Sequence, residues 1–174
     1  IVKLNPYIRS SGIYFIENYY HQKGRLFAPY ALRRDSIIKE SQDATDLGYD
    51  YSKDEWFKEA ISREEGYWAK PFLDNDSAKT PLVSYLLPIR DRQHRTVAIL
   101  GVDLSLSWLN EKIQLYVWNS EKWDPDQKAY YFMTDSTGTL LAHPYAKRIV
   151  NENILSYVDK EVHENLGSLT IEDC

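Results

Sequence analysis

The sequence is short of cysteine, of basic charge and of long hydrophobic runs, and each shortage excludes a class of protein. Its single cysteine, Cys174, rules out an internal disulfide framework and any cysteine-rich metal site. The net charge of -5 argues against nucleic acid as a partner, because phosphate binding requires clustered Lys and Arg. No run of about 18 apolar residues is present, so no segment reads as a transmembrane helix.

Motifs for catalysis, metal binding and nucleotide binding are also missing. There is no G-x-S-x-G nucleophile motif, no P-loop and no Rossmann glycine pattern. The stretch "DNDSAKT" begins like a calcium loop, but Ala78 falls where an oxygen ligand is needed. The histidines have no ligand-like spacing; they are His21, His94, His143 and His163. We therefore predict no metal, no cofactor and no enzymatic activity.

Aromatic residues, by contrast, are plentiful. They make up 14% of the 174 residues and include 14 Tyr and 5 Trp. Such side chains pack cores, and they also line pockets in which one end of the ring must stay polar. With 43% hydrophobic residues, the chain is long enough for one compact domain or for two small modules.

Alternating apolar residues predict antiparallel strands in the first part of the chain. The stretches 11–20 and 25–34 are separated by the polar turn "HQKG" and predict one hairpin. The stretches 81–89 and 96–104, joined by a charged loop, predict another. Between these hairpins, the polar stretch 35–50 predicts a loop with a short helix.

Two helices and a further hairpin complete the predicted elements. Ser52 and Glu55 form a capping box that opens a helix over about 53–63. The stretch "LSWLNEKIQLY" has one apolar stripe and predicts a second helix. The polar segment 119–128 predicts a linker, and 129–144 predicts a hairpin around the turn "DSTG". The later stretch "ILSYVDKEV" is predicted to be helical, and the recurrence of strand, turn and strand indicates two related α+β modules.

An acidic residue ends the otherwise apolar strand "TVAILGVD". Side chains alternate along a strand, so Ile99, Gly101 and Asp103 share one face. An acid on an apolar face is costly unless it has a partner, and a glycine beside it leaves room for a ligand to approach. Alternatively, Asp103 caps the helix that begins near Ser105.

The stretch 54–76 interleaves large aromatics with acids. Its aromatic side chains are either ordinary core or the walls of a pocket with acids as polar anchors. Aromatic faces combined with carboxylates suit a cationic ligand. The residues concerned are Trp56, Phe57, Trp68 and Phe72, with Asp54 and Asp74.

A resemblance to one family rests on several stretches taken together. The chain resembles the extracytoplasmic double-Cache sensor domains of bacterial signalling receptors in "YDYSKDEWFKEA", "GYWAKPFLD", "PLVSYLLPIRD" and "VAILGVDLSLSWL". The later stretch "YYFMTDSTGTLLAHP" is similar to the second, membrane-proximal module of that family. The resemblance covers roughly residues 1–160.

The resemblance implies an α+β fold with two PAS-like (Cache) modules, each an antiparallel sheet flanked by helices, and with most of the long N-terminal helix missing. Residues 1–118 would be the membrane-distal, ligand-binding module, and residues 119–174 a truncated membrane-proximal module. Such domains lie outside the cytoplasmic membrane (in the periplasm), between two membrane-spanning helices, and drive histidine kinases, chemotaxis transducers, cyclases or phosphatases. Family members commonly dimerise along the N-terminal helix. We therefore expect a monomer or weak dimer here, with a homodimer left open for the intact receptor.

The resemblance also implies a set of ligand-binding residues. In the amino-acid-binding branch, an Arg grips the ligand carboxylate and two Asp hold the amino group. This chain has Asp54 at the position of that Arg, which would repel a carboxylate. The matching positions here are Tyr49, Asp54, Trp56, Phe57, Phe72, Asp74 and Asp103, to which we add the aromatics Trp68 and Tyr85.

Three acids cannot all be buried, ionised and unpaired, so something must neutralise Asp54, Asp74 and Asp103. In the lining segments, Arg and Lys are expected on the outer side of the helix or in loops. The prediction is therefore a sensor that binds a small amine-containing molecule. Two alternatives stay open: a ligand-free structural or dimerisation input domain that responds to a partner protein, and a sensor of amino acids or other small carboxylates.

Overall fold

The computed structural model divides the chain into two compact units, Ile1–Ser105 and Leu106–Cys174, which are described separately below. No helix in the described part of the chain is long and apolar enough to cross a membrane. The residues that the structure describes are 1–34, 36–41, 49–75, 78–118 and 131–157.

The first unit is built on one antiparallel sheet of seven strands. Its order is β3-β2-β1-β7-β6-β4, with β5 also pairing with β6. The long pair β6 and β7 is antiparallel and in register from Leu82 opposite Ser105 to Ile89 opposite Ala98, which confirms the hairpin predicted there. The strands are β1 Ile8–Phe15, β2 Tyr30–Arg34, β3 Ile37–Ser41, β4 Tyr67–Trp68, β5 Phe72–Leu73, β6 Pro81–Arg90 and β7 Thr96–Ser105.

One helix, α1 (Glu55–Ser62), covers part of one face of this sheet. Phe57 and Ala60 are buried on its inner side, because residues three apart lie on the same side of a helix. They join a core cluster that also contains Leu86 of β6 and Ile99 of β7. The remaining buried members of this cluster are Leu26, Ala28 and Tyr51. Helix α1 is therefore fixed to the central strands of the sheet by apolar packing.

Two local predictions in this unit were wrong. The stretch predicted as a loop with a short helix contains strand β3 at Ile37–Ser41, which pairs with β2 along all five of its residues. Residues 42–48 of that stretch lie outside the described residues. The predicted capping box does not form either: Asp54 is the N-cap of α1 and makes no side-chain cap bond. The Ser52 hydroxyl instead lies 2.6 Å from Asp50 Oδ1.

The second unit contains helix α2 (Leu106–Trp118) and a two-stranded antiparallel sheet, β8 (Met133–Thr134) and β9 (Leu140–Ala142). Helix α2 packs against β9. The turn between the strands is closed by Asp135, whose Oδ1 accepts hydrogen bonds from the backbone N–H groups of Thr137 and Thr139 at 2.8 and 3.0 Å. The predicted hairpin is confirmed, and it forms a sheet separate from that of the first unit.

Other predictions for this part of the chain are tested less completely. The linker predicted at 119–128 lies outside the described residues. Of the helix predicted in "ILSYVDKEV", residues Ile154–Tyr157 form a 3-10 helix and the rest is not described. The division at residue 105 groups α2 with the second unit. The boundary at residue 119, and the identity of the two parts as distal and proximal modules, stay predictions.

Candidate ligand-binding site

A cavity of about 690 Å³ opens on the face of the sheet that also carries α1. This volume is within the range typical of small-molecule sites, roughly 300–1,000 Å³. Its lining residues are Tyr14, Tyr49, Asp54, Trp56, Ala69, Lys70, Phe72, Asp74, Asn75, Ser84, Leu86, Gly101 and Asp103. All of them belong to the first unit.

The polar floor of the cavity is formed by Asp103 and Ser84, which lie in one row with Ser10 across three neighbouring strands. Asp103 of β7 lies opposite Ser10 of β1 on one side and opposite Ser84 of β6 on the other. Each serine hydroxyl donates a hydrogen bond to a different carboxylate oxygen of Asp103, that of Ser84 at 2.6 Å. Asp103 therefore does not cap a helix, and β7 continues to Ser105.

The charge state of Asp103 is set by opposing effects. Burial raises the pKa of the Asp103 carboxyl above its ordinary value, since the ionised form loses solvation. The hydrogen bonds from Ser10 and Ser84 act in the opposite direction, and the negative charge of Asp74 raises the pKa further. The net direction is upward, so this carboxyl takes up a proton more readily than an exposed Asp does.

The adjacent row of the floor is made of small residues. Gly101 of β7 lies opposite Gly12 of β1 and Leu86 of β6. The ring of Tyr14 covers both glycines: a Cβ added at Gly12 or Gly101 would lie 3.1 or 3.2 Å from Tyr14 Cε2. The space left by Gly101 is thus occupied partly by an aromatic ring from the same sheet, and that ring lines the cavity.

One wall of the cavity precedes and begins helix α1. The Asp54 carboxylate accepts hydrogen bonds from the Tyr49 hydroxyl and from Trp56 Nε1, the latter at 3.0 Å. Trp56 in turn packs edge-to-face with Tyr14, with ring centroids 5.1 Å apart. Burial, followed by the hydrogen bond to Asp54, raises the pKa of Tyr49 to about 12, so this hydroxyl stays a donor at neutral pH. Asp54 therefore holds two aromatic side chains in place.

The opposite wall is the segment from Ala69 to Asn75. Phe72 and Asp74 line the cavity from strand β5 and the residue after it. Asp74 Oδ2 lies 3.7 Å from Arg9 Nε, and the two side chains are 29% and 18% exposed. Arg9 sits at a register shift of β1 between Ile8 and Ser10. Such β-bulges re-aim a side chain, which accounts for an Arg reaching Asp74 from this strand.

Two basic side chains lie near the acids of the cavity, one from a strand outside the predicted lining segments and one from a loop, where such residues were expected. Arg9 forms the ion pair with Asp74. Lys70, which is exposed, lines the cavity from the loop between β4 and β5. Arg9 was not considered because it lies on a distant strand, and the loop position of Lys70 was expected, but not that this loop lines the cavity.

The structure brings six of the nine predicted site residues together at the cavity: Tyr49, Asp54, Trp56, Phe72, Asp74 and Asp103. It places the other three elsewhere. Phe57 is 3% exposed in the core beneath α1. Trp68 and Tyr85 are opposite each other in register, on the face of the sheet turned away from Ser84 and Leu86, and their rings pack at 5.2 Å.

Several residues at the cavity were not predicted. Ser84 and Leu86 alternate with Tyr85 along β6, so they lie on the opposite face of the sheet from Tyr85. The pairing of β6 with β7 puts them on the same face as Asp103, and they could have been predicted once that pairing was known. Ser10 and Tyr14 depend on the pairing of β1 with β7, which no local signal reveals. Among the described residues, no group of three or more His, Cys, Asp or Glu is placed to hold a metal ion.

Comparison with known proteins identifies the family. The family model described as methyl-accepting chemotaxis protein-like, first PDC sensor domain, matches residues 1–111. The chain belongs to this family. The sensor domain is accordingly a ligand-binding module without catalytic activity of its own.

Solved structures share the fold of the sensor domain. The extracellular domain of soHK1S-Z6, a protein named as a histidine kinase, is 24% identical over 94% of this chain and 59% of its own, with a TM-score of 0.64. The periplasmic sensory domain of the Campylobacter jejuni chemoreceptor Tlp1 is 16% identical over 92% of this chain and 59% of its own, with a TM-score of 0.62.

A further structural neighbour contains a bound ligand. The ligand-binding domain of the Pseudomonas aeruginosa PAO1 amino acid chemoreceptor PctC, in complex with GABA, is 16% identical over 87% of this chain and 56% of its own, with a TM-score of 0.56. The sensor domain thus spans less than two thirds of the length of these solved domains. Among curated proteins, no sequence matches it.

Proposed function

We propose that this chain is the extracytoplasmic, ligand-sensing part of a bacterial transmembrane receptor, and that it binds a small amine-containing molecule in the cavity of its first unit. The receptor would belong to the double-Cache type, with the cavity in its membrane-distal module. Its output would be a histidine kinase, a chemotaxis transducer, a cyclase or a phosphatase. Membership of the chemotaxis-receptor sensor family and the fold shared with periplasmic and extracellular domains support this proposal.

The observation that carries the amine proposal is the carboxylate of Asp103 at the floor of an aromatic cavity. Asp103 is held by two serine hydroxyls and has no basic residue among its hydrogen-bond partners in the described part of the chain. A ligand ammonium group above it would supply the missing positive charge and would favour the ionised carboxylate. The Trp56 indole at the wall adds a surface that attracts cations, worth roughly 1–2 kcal/mol when water is excluded.

The other two acids at the cavity, Asp54 and Asp74, contribute less to the attraction of a cationic ligand than their charges suggest. Asp54 already accepts hydrogen bonds from Tyr49 and Trp56, and Asp74 is partly neutralised by Arg9 at 3.7 Å. Asp74 can still share its charge with a ligand, because a single ion pair at this distance leaves carboxylate lone pairs free to accept hydrogen bonds.

A second candidate ligand is an amino acid. Lys70 is the cationic residue among those that line the cavity in the described part of the chain, and it could pair with a carboxylate. A molecule with both an ammonium and a carboxylate group would then lie between Asp103 and Lys70. This alternative differs from a simple amine in requiring Lys70.

Calorimetry distinguishes the candidates. Primary and quaternary amines and a panel of amino acids would be titrated into wild type, Asp74→Ala and Lys70→Ala, with Glu65→Ala as a control that removes a charge at an exposed site. Removing Asp74 takes away one of the carboxylates at the cavity that a ligand ammonium group can contact, so we expect amine affinity to fall about tenfold or more, equivalent to about 1.4 kcal/mol.

The outcomes separate cleanly. Amine binding that weakens in Asp74→Ala but not in Lys70→Ala supports the amine proposal. Amino-acid binding that is lost in Lys70→Ala supports the second candidate. Tight binding of a simple carboxylate that is unaffected by Asp74→Ala would refute the amine proposal, and mass spectrometry of small molecules that co-purify would identify any occupant directly.

A further inference from the structure

We propose that Ser10 and Ser84 are positioning residues that favour the ionised form of the Asp103 carboxyl group, and thereby make the cavity selective for a cationic group. The selectivity for a cationic group rests on the proposed function. The effect of the two serines on Asp103 concerns the protein without ligand. Neither serine belongs to the set of residues that the sequence pattern indicated. The two are recognised only from their places on the strands that flank β7.

The geometry favours the anion. The two serine hydroxyls approach different oxygens, Ser10 on Oδ2 and Ser84 on Oδ1, so both oxygens of Asp103 accept a hydrogen bond. An ionised carboxylate can only accept, so two donors suit it, and each oxygen keeps a lone pair that can accept from a ligand. A protonated carboxyl would have to donate through one of these oxygens, which would require one serine to turn its hydroxyl away.

The backbone fixes both donors. Ser10, Asp103 and Ser84 form one row across three hydrogen-bonded strands, and Ser84 is 8% exposed. Side chains directly opposite on adjacent strands stay close together whatever occupies the cavity. The donors are therefore in place before a ligand arrives, and ligand binding needs no rearrangement of the floor.

The surroundings make the serines necessary. The charged and titratable groups around Asp103 are Tyr14 from β1, Tyr49 and Asp54 before α1, and Asp74 and Lys70 from the segment around β5. Asp74 repels the Asp103 charge, and its own cationic partner, Arg9, is engaged with it. Without the two hydroxyls, burial and the charge of Asp74 would act unopposed, so the pKa of Asp103 would rise further and its carboxyl group would attract a cation less.

The structural part can be tested without a ligand. The Asp103 carboxyl would be followed by 13C NMR during a pH titration of protein labelled at aspartate, with Asp103→Asn identifying the resonance. In Ser84→Ala and in Ser10→Ala we expect the titration midpoint to rise by about one pH unit or more, because each variant removes a hydrogen bond to the charged form. Ser84→Thr and Ser10→Thr keep a hydroxyl and should restore the wild-type midpoint.

An unchanged or lower midpoint in the alanine variants would overturn the proposal, since it would mean that the serines stabilise the neutral acid or neither state. The two serines lie on different strands, so one variant can decide the question if the other fails to fold. A binding arm uses n-butylamine and choline as ligands: below the Asp103 midpoint their affinity should fall, and in the alanine variants this fall should begin at a higher pH. Failure of both amines to bind wild type would refute the amine proposal alone, since the NMR midpoints are measured without them.

Discussion

Replacing Tyr51 by Phe should destabilise the first unit while leaving its packing unchanged. The Tyr51 side chain is fully buried, and its hydroxyl donates to the carbonyl of Phe15 at 2.7 Å. The same hydroxyl accepts a hydrogen bond from the backbone N–H of Phe27 at 3.3 Å. Tyr51 thus connects the end of β1 and the chain before β2 to the segment that leads into α1, where Asp54 and Trp56 lie.

The size of the effect follows from what the substitution removes. The ring stays, so its contacts with Tyr14 and Phe57, at centroid distances of 5.3 and 4.9 Å, are retained. The carbonyl of Phe15 and the N–H of Phe27 each lose this partner in a partly buried place. Leaving such groups unsatisfied costs about 1–3 kcal/mol, a sizeable share of the 5–15 kcal/mol typical of a folded domain.

Urea unfolding, followed by far-UV circular dichroism, measures this change. With a slope of about 1–3 kcal/mol per molar urea, a loss of 2 kcal/mol moves the midpoint down by roughly 1 M. Tyr19→Phe is the matched control, because the same hydroxyl is removed from a side chain that is 42% exposed. A Tyr51→Phe midpoint equal to that of the control would show that the buried hydroxyl does not connect these segments.

Three further predictions concern the cavity wall, two glycine turns and an acid. Trp56→Phe should weaken amine binding about threefold to tenfold in calorimetry, because Phe attracts cations less and lacks the indole N–H; equal affinity would contradict this. Gly138→Ala should lower the thermal midpoint more than Gly24→Ala does. Both glycines have a φ near +85°, but only at Gly138 would the new Cβ lie as close as 2.7 Å to another atom. An equal fall in the two thermal midpoints would show that this close contact has no effect. Hydrogen bonds lower the pKa of Asp50 to about 2, and the bond from a serine hydroxyl has the largest effect. The stabilising contribution of Asp50 is therefore present above the ordinary Asp pKa and is lost as the pH falls through 2. Asp50→Asn should therefore lower the thermal midpoint at pH 7 and have a much smaller effect near pH 2, and a loss of the same size at both pH values would argue against this origin.

The long strands were predictable because their signals are local. Strands β6 and β7 alternate or run apolar for ten residues each and are separated by a short charged loop, so their antiparallel pairing follows from the sequence alone. Strand β3 was missed because it combines Ile37, which is 65% exposed, with the charged residues Lys39 and Glu40. This edge strand is defined by its pairing with β2 and not by burial.

The site residues that are close together in the sequence could be predicted. Those that are brought together only by the pairing of strands could not. Tyr49, Asp54 and Trp56 lie within a few residues of one another, and their hydrogen bonds reflect that spacing. Ser10, in contrast, lies 93 positions from Asp103, and only the order of strands brings them together. The prediction of Tyr85 as a site residue was wrong for a different reason. Tyr85 belongs to a strand that lines the cavity, but the alternation of side chains turns it to the other face of the sheet.

The two sides of the cavity differ in how firmly the fold holds them. The row of Ser10, Asp103 and Ser84 stands on the three central strands, each hydrogen-bonded to a neighbour on both sides. The opposing walls stand on the approach to α1 and on β4 and β5, which are two residues long. Short, peripheral elements open at a lower free energy than central strands do. The central strands would therefore set which molecules are selected, and structural change on binding would be concentrated in the two walls, where conformational signalling would begin.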